Sequence, residues 1–160
     1  NVGDTLTVKS ILNAFDYNSN QLTDLGNNSI IGTPMSIGAL KGLGVINGAV
    51  DSFNFVQIKG NITTDNTTNP KSIKQLLYKE YNGKYEFEFS IIAQKKGIYV
   101  IGLPDAILKK EMQNGCNDGG SVILKNSNVK NNMYYYQSLY YQGNPVPTNE
   151  ANHGFCFKVK

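Results

Sequence analysis

Asn82-Gly83 stands between two runs of alternating aromatic and polar residues, Leu76 to Tyr81 and Lys84 to Phe89. Asn-Gly readily supplies the two left-handed residues of a type I′ turn, whose twist matches that of paired strands. A two-residue turn pairs Tyr81 with Lys84, Glu80 with Tyr85, Tyr78 with Phe87 and Leu76 with Phe89. Leu76, Tyr78, Tyr85, Phe87 and Phe89 then share one face, and Lys79 falls opposite Glu86 on the other, a favourable cross-strand pair. A helix begun at Pro70 and using Ile73, Leu76 and Leu77 is the competing reading of residues 71–81. The pairing logic favours the hairpin. Gln94 to Gly97 supplies a second turn, and Ile98 to Leu103 returns as a strand, so three consecutive antiparallel strands are expected.

The rest of the chain repeats the pattern of short strands. Asp4 to Lys9 alternates, with Leu6 and Val8 on one side. In Phe53 to Lys59 the apolar face switches from Phe53 and Phe55 to Val56 and Ile58, a change that a bulge can produce. Ser121 to Lys125 reads as a strand, and Gly154 to Val159 closes the chain with Phe155, Phe157 and Val159 on one face. Residues 16–29 and 60–70 read as loops, and residues 104–113 as a short helix between Pro104 and Asn114-Gly115. Residues 133–141 fit strand and helix equally. Ile30 to Val50 is apolar, but Pro34, Ser36, Asn47 and its glycines suit buried strands or loops better than a membrane span. About seven strands with little helix predict a mostly β fold, an antiparallel sandwich with one short helix in a single domain over 1–160.

Composition narrows the function classes. The net charge is +3, and every one of the 15 basic residues is Lys. Without Arg there is no forked reader of guanine or phosphate, so nucleic acid is not expected as a partner. Two cysteines, Cys116 in a turn-like segment and Cys156 in the last strand, are the even count expected of an exported protein with one bridge. That bridge would close a loop of about 40 residues and contribute roughly 3–4 kcal/mol in the chain-entropy model.

The inventory of reactive groups is thin. Asp16-x-Asn18-x-Asn20 opens like a calcium loop, but Gln21 stands where the turn glycine belongs and Asn27 where the bidentate Glu belongs. His153 is the only histidine, so any Ser-His or Cys-His engine must run through it. Glu150-x-x-His153 is half of a metal motif, and His153 with both cysteines would complete a zinc-type set only if no bridge forms. No phosphate-binding glycine loop is present. No cofactor, metal or catalytic residue is therefore expected. Tyrosine is the abundant chemistry: Tyr134, Tyr135, Tyr136, Tyr140 and Tyr141 lie within eight residues. Strand alternation would turn Tyr135 and Tyr141 inward with Met133 and Leu139. Tyr134, Tyr136 and Tyr140 would then form an outer face, either covered by a second sheet or exposed as a ligand platform.

Gly97-Ile-Tyr99-Val-Ile101-Gly-Leu103 resembles the Gly-x-Tyr-x-Val-x-Leu strand of immunoglobulin-like bacterial surface modules. The Asn/Lys/Tyr-rich composition, the mature-looking start and the closing Phe-Cys-Phe strand resemble small surface lipoproteins of Gram-negative gut bacteria. The resemblance implies an immunoglobulin-like sandwich, export to the outer cell surface and a lipid anchor through an upstream Cys. It brings no catalytic residue. Three functions are carried forward: a non-enzymatic surface module binding glycan or protein, a structural subunit of an adhesin or pilus, and an exported hydrolase. An exposed aromatic shelf would favour the first, a donated edge strand the second, and a cleft around His153 the third.

Overall fold

The computed structural model describes residues 1–13, 15–16, 21–22, 30–67, 69–82, 84–103, 105–109, 119–121 and 132–160. Among these residues the strands are β1 (Thr5–Asn13), β2 (Phe15–Asp16), β3 (Gln21–Leu22), β4 (Ile30–Gly42), β5 (Val45–Gly48), β6 (Phe53–Lys59), β7 (Asn61–Thr64), β8 (Ile73–Leu77), β9 (Lys79–Tyr81), β10 (Lys84–Ala93), β11 (Gly97–Gly102), β12 (Asp105–Lys109), β13 (Gly119–Ser121) and β14 (Gly154–Val159). Two short helices, α1 (Tyr134–Leu139) and α2 (Thr148–His153), precede the last strand. The fold is mostly β, as expected, and its pairings are antiparallel.

The first sheet has the order β1-β10-β6, with β9 also on β10. The hairpin forms in the expected register, Tyr81 opposite Lys84, Glu80 opposite Tyr85 and Lys79 opposite Glu86. Two details differ. Glu86 takes its ion pair from Lys59 rather than Lys79, because Lys59 on β6 lies beside β10. Leu76 does not pair with Phe89. The chain leaves the hairpin at Tyr78, and β8 joins the second sheet between β4 and β7. The shared face nevertheless survives, since Leu76, Tyr78, Tyr85, Phe87 and Phe89 are all buried in one core. Tyr78 bridges the gap, its ring 4.6 Å from that of Phe87 and its hydroxyl 2.8 Å from Ser10 Oγ.

The second sheet runs β13-β12-β4-β11-β14, with β5 and β8 also on β4 and β7 on β8. Three expectations change here. Residues 105–109 of the expected helix form β12, which pairs with Ile30–Gly32 of β4; sheet pairing has overridden the local helix signal. Residues 61–64 of the expected loop form β7. The three consecutive antiparallel strands expected there are divided between the sheets, since β10 and β11 belong to different ones and residues 94–96 cross the sandwich. The bulge expected in Phe53 to Lys59 is present: Phe89 faces Gln57 while Glu88 faces Lys59. It does not bury Val56 and Ile58, which stay about half exposed. Residues 30–48 form a hairpin of β4 and β5, with Gly42, Leu43 and Gly44 all at positive φ in the turn. Most of the strand expected at 121–125 and the calcium-like Asn18 and Asn20 lie outside the described residues. No described helix is long and apolar enough to cross a membrane.

Alternation along the second sheet decides where function can sit. Met35, Ile37, Tyr99, Ile101 and Val159 face the first sheet and meet Phe53, Phe87, Phe89 and Ile91. The intervening residues, Leu40, Val100 and Cys156, point the other way. Met133, Tyr136, Leu139 and Tyr140 cover that second face. The molecule is thus layered: sheet, sheet, and a tyrosine-rich helical cover.

Candidate functional site

Residues 132–153 lie across the outer face of the second sheet and are tied to it by hydrogen bonds. Gly44 N donates to Leu139 O at 3.1 Å, fixing the β4–β5 turn to α1. Leu103 N donates to His153 O at 3.0 Å, fixing the end of α2 beside β11. Asn132 Nδ2 donates to Cys156 O at 3.2 Å.

Between this cover and the sheet lies a cavity of about 540 Å³. Small residues line its floor: Ser36 and Gly38 from β4, Gly48 from β5, Gly102 from β11 and Gly154 from β14. A side chain at Gly38 would have its Cβ 2.3 Å from Ile46, so the backbone there must stay bare. Ile46, Val100, Leu103 and Met133 supply apolar wall. Ser72, Tyr136, Glu150 and His153 supply polar groups.

Glu150 organises the polar end. Tyr136 Oη donates to its Oε2 at 3.0 Å, and Tyr141 Oη donates to its Oε1 at 2.7 Å. The carboxylate therefore joins α1, the following turn and α2. Burial, then the bond to Glu150, hold the Tyr136 phenol well above the usual tyrosine range. The bond to Glu150 pushes Tyr141 up to about 12. Both phenols stay protonated at neutral pH, with their protons committed to the carboxylate. Tyr140 stacks on Tyr136 at 5.0 Å and 10°, while Tyr141 stands edge-on to both rings.

The tyrosines do not divide as strand alternation has them. Residues 134–139 are helical, so inward positions recur at 133, 136 and 140 rather than at every second residue. Tyr136 is only 9% exposed, Tyr134 is 58% exposed against Tyr135, and Tyr140 is half-buried. Of the three expected ligand residues, Tyr136 alone lines the cavity. Glu150 and His153, noticed in the sequence as half a metal motif, do reach one site. Their spacing of three puts both on one side of α2. Among the described residues no three His, Cys, Asp or Glu side chains are grouped to hold a metal. The sequence carries no signal for Ser36 and Ser72, which pairing brings to the cavity from distant positions.

Cys156 is fully buried and unbridged among the described residues, and its S–H donates to Met133 Sδ at 3.8 Å, just behind the cavity wall. Burial pushes it up to about 12. Its expected partner, Cys116, lies outside the described residues.

No family model, curated protein or solved structure matches the chain.

Proposed function

We propose that the chain is a non-enzymatic binding module of the outer cell surface, and that the end of a glycan seats in the cavity beneath α1 and α2. The observation that carries this reading is the cavity's make-up. Its volume falls among small-ligand sites, about 300–1,000 Å³. Gly102, with only Ser36 Oγ beside its missing Cβ, leaves room for the face of a sugar ring. Ile46, Val100 and Met133 meet its C–H surface, and Glu150, Ser72 and Tyr136 offer hydrogen bonds to its hydroxyls. Export, a lipid anchor upstream and an immunoglobulin-like relationship through the β11 strand belong to the same proposal. They rest on the composition and on Gly97 to Leu103.

Two features of the cavity argue against hydrolysis. Glycoside cleavage uses two carboxyl groups across the bond, about 5–10 Å apart, and Glu150 is the one carboxylate among the described lining residues. Ser36 Oγ donates to Gly102 O at 3.4 Å, so its proton is not aimed at a base. The hydrolase reading keeps one observation of its own, that Ser72 and His153 line the same cavity. A fluorophosphonate probe decides between the two: no labelling is expected, and labelling lost on His153→Ala would establish the enzyme instead.

The binding reading is tested on a glycan array with the parent and Gly102→Val. The new Cβ would meet only Ser36 Oγ, at 2.7 Å, which can rotate away. The side chain would then fill the floor. Binding by the parent that Gly102→Val loses, at an unchanged melting temperature, is the expected result. Equal binding by both would place the ligand elsewhere.

A further inference from the structure

We infer that the ligand of this cavity is an amino sugar with a free ammonium group, which seats against Glu150; the inference rests on the cavity being the binding site. Three observations lead there. The first is charge. Glu150 is the only acidic residue among the described lining residues, and no lysine lines the cavity. No salt bridge to Glu150 is formed among the described residues. A phosphorylated, sulfated or carboxylated sugar would meet this carboxylate with only His153, and no lysine, to offset it, so anionic ligands are disfavoured.

The second is the polarity of the hydrogen-bonding groups. Both phenol protons are spent on Glu150, so Tyr136 can offer an incoming ligand only its oxygen lone pairs. A carboxylate accepts at about four positions and donates nothing when ionised, and two of these remain for a ligand. Glu150 and Tyr136 thus present acceptors, with Ser72 and His153 the polar groups that complete the lining. An ammonium group carries three donors and no acceptor, so it matches better than a hydroxyl, which must also be given a donor. A bond from an ammonium to a carboxylate is roughly twice as strong as a neutral one.

The third is the surrounding surface. Tyr136, bonded to the carboxylate, lines the cavity, while Tyr140 and Tyr141 pack on its ring outside the lining. The apolar wall of Ile46, Val100 and Leu103 and the floor at Gly102 fit the rest of a pyranose ring. A simple alkyl amine would leave that floor unfilled.

The test is a titration of the purified chain with D-glucosamine, D-glucose and N-acetyl-D-glucosamine at neutral pH, read by calorimetry. D-glucosamine should bind about tenfold or more tighter than the other two. In Glu150→Gln, which keeps the shape and the acceptor oxygen, it should fall to the level of D-glucose. Equal affinity for D-glucosamine and D-glucose in the parent would overturn the amino-sugar inference and leave the glycan pocket standing. Binding of none of the three would overturn both. The comparison among ligands needs no variant, so it stands even where Glu150→Gln loosens the cover.

Discussion

The contrast between Tyr134 and Tyr136 shows how one residue's direction decides what a tyrosine does. Tyr136 packs with Met133, Leu40 and Cys156 under the cover, whereas Tyr134 points to solvent. Tyr136→Ala should therefore cost roughly 3 kcal/mol or more, as large-to-small changes in a core do, and lower the melting temperature strongly. Tyr134→Ala should leave it unchanged. The reverse ranking would mean that α1 is turned the other way. Cys156 gives a second prediction. Its buried thiol is held neutral well above the unfolded value of about 9, so its contribution is complete below that pH and is lost as pH rises from 9 towards 12. The urea midpoint should fall as pH is raised past 9, and Cys156→Ala should flatten that fall. A bridge to Cys116 would abolish the thiol's titration, so a parent with no such slope would support the bridge. Which aromatics face inward was legible wherever the period was right, as in Tyr85, Phe87 and Phe89. It failed at 133–141, where strand and helix templates fitted equally and only packing beneath the cover chose between them.

Among the elements, the Asn82-Gly83 hairpin was readable because turn chemistry and alternation agree within fourteen residues, from Leu76 to Phe89. The departure of β8 to the other sheet was not. Its cause lies in β4, some forty residues upstream, whose Gly32–Ser36 edge takes Ile73–Leu77 as a partner. The strand β12 was missed for the same reason. At the corner between β6 and β7, Gly60 combines a φ of +75° with Leu77 O only 2.5 Å from where a Cβ would stand. Gly60→Ala should destabilise the fold by about 2 kcal/mol or more through strain and clash together. Gly143, at φ +90°, has open space around it. Gly143→Ala should cost only the strain, about 1 kcal/mol. Urea unfolding of the two variants checks the order, and equal losses would mean that the corner is not closely packed.

At the scale of the molecule, two sheets bury the main core, and the outer face of the second sheet is left for a helical cover and a cavity. The mostly β class was legible from the short alternating runs and the scarcity of helix signals, although fourteen described strands form where about seven were expected. The cavity was not, since its floor comes from four strands and its polar end from α1, α2 and the turn between them. Only the Glu150–His153 spacing hinted that two of its residues would meet. The central claim is that this cavity receives the ligand. It is tested most directly by methyl NMR of the selectively labelled chain during titration with D-glucosamine. Shifts concentrated at Ile46, Val100, Leu103 and Met133, with Val8 and Ile91 of the first sheet unmoved, are the predicted result. Shifts confined to the first sheet, or none at all while the sugar is in large excess, would contradict it.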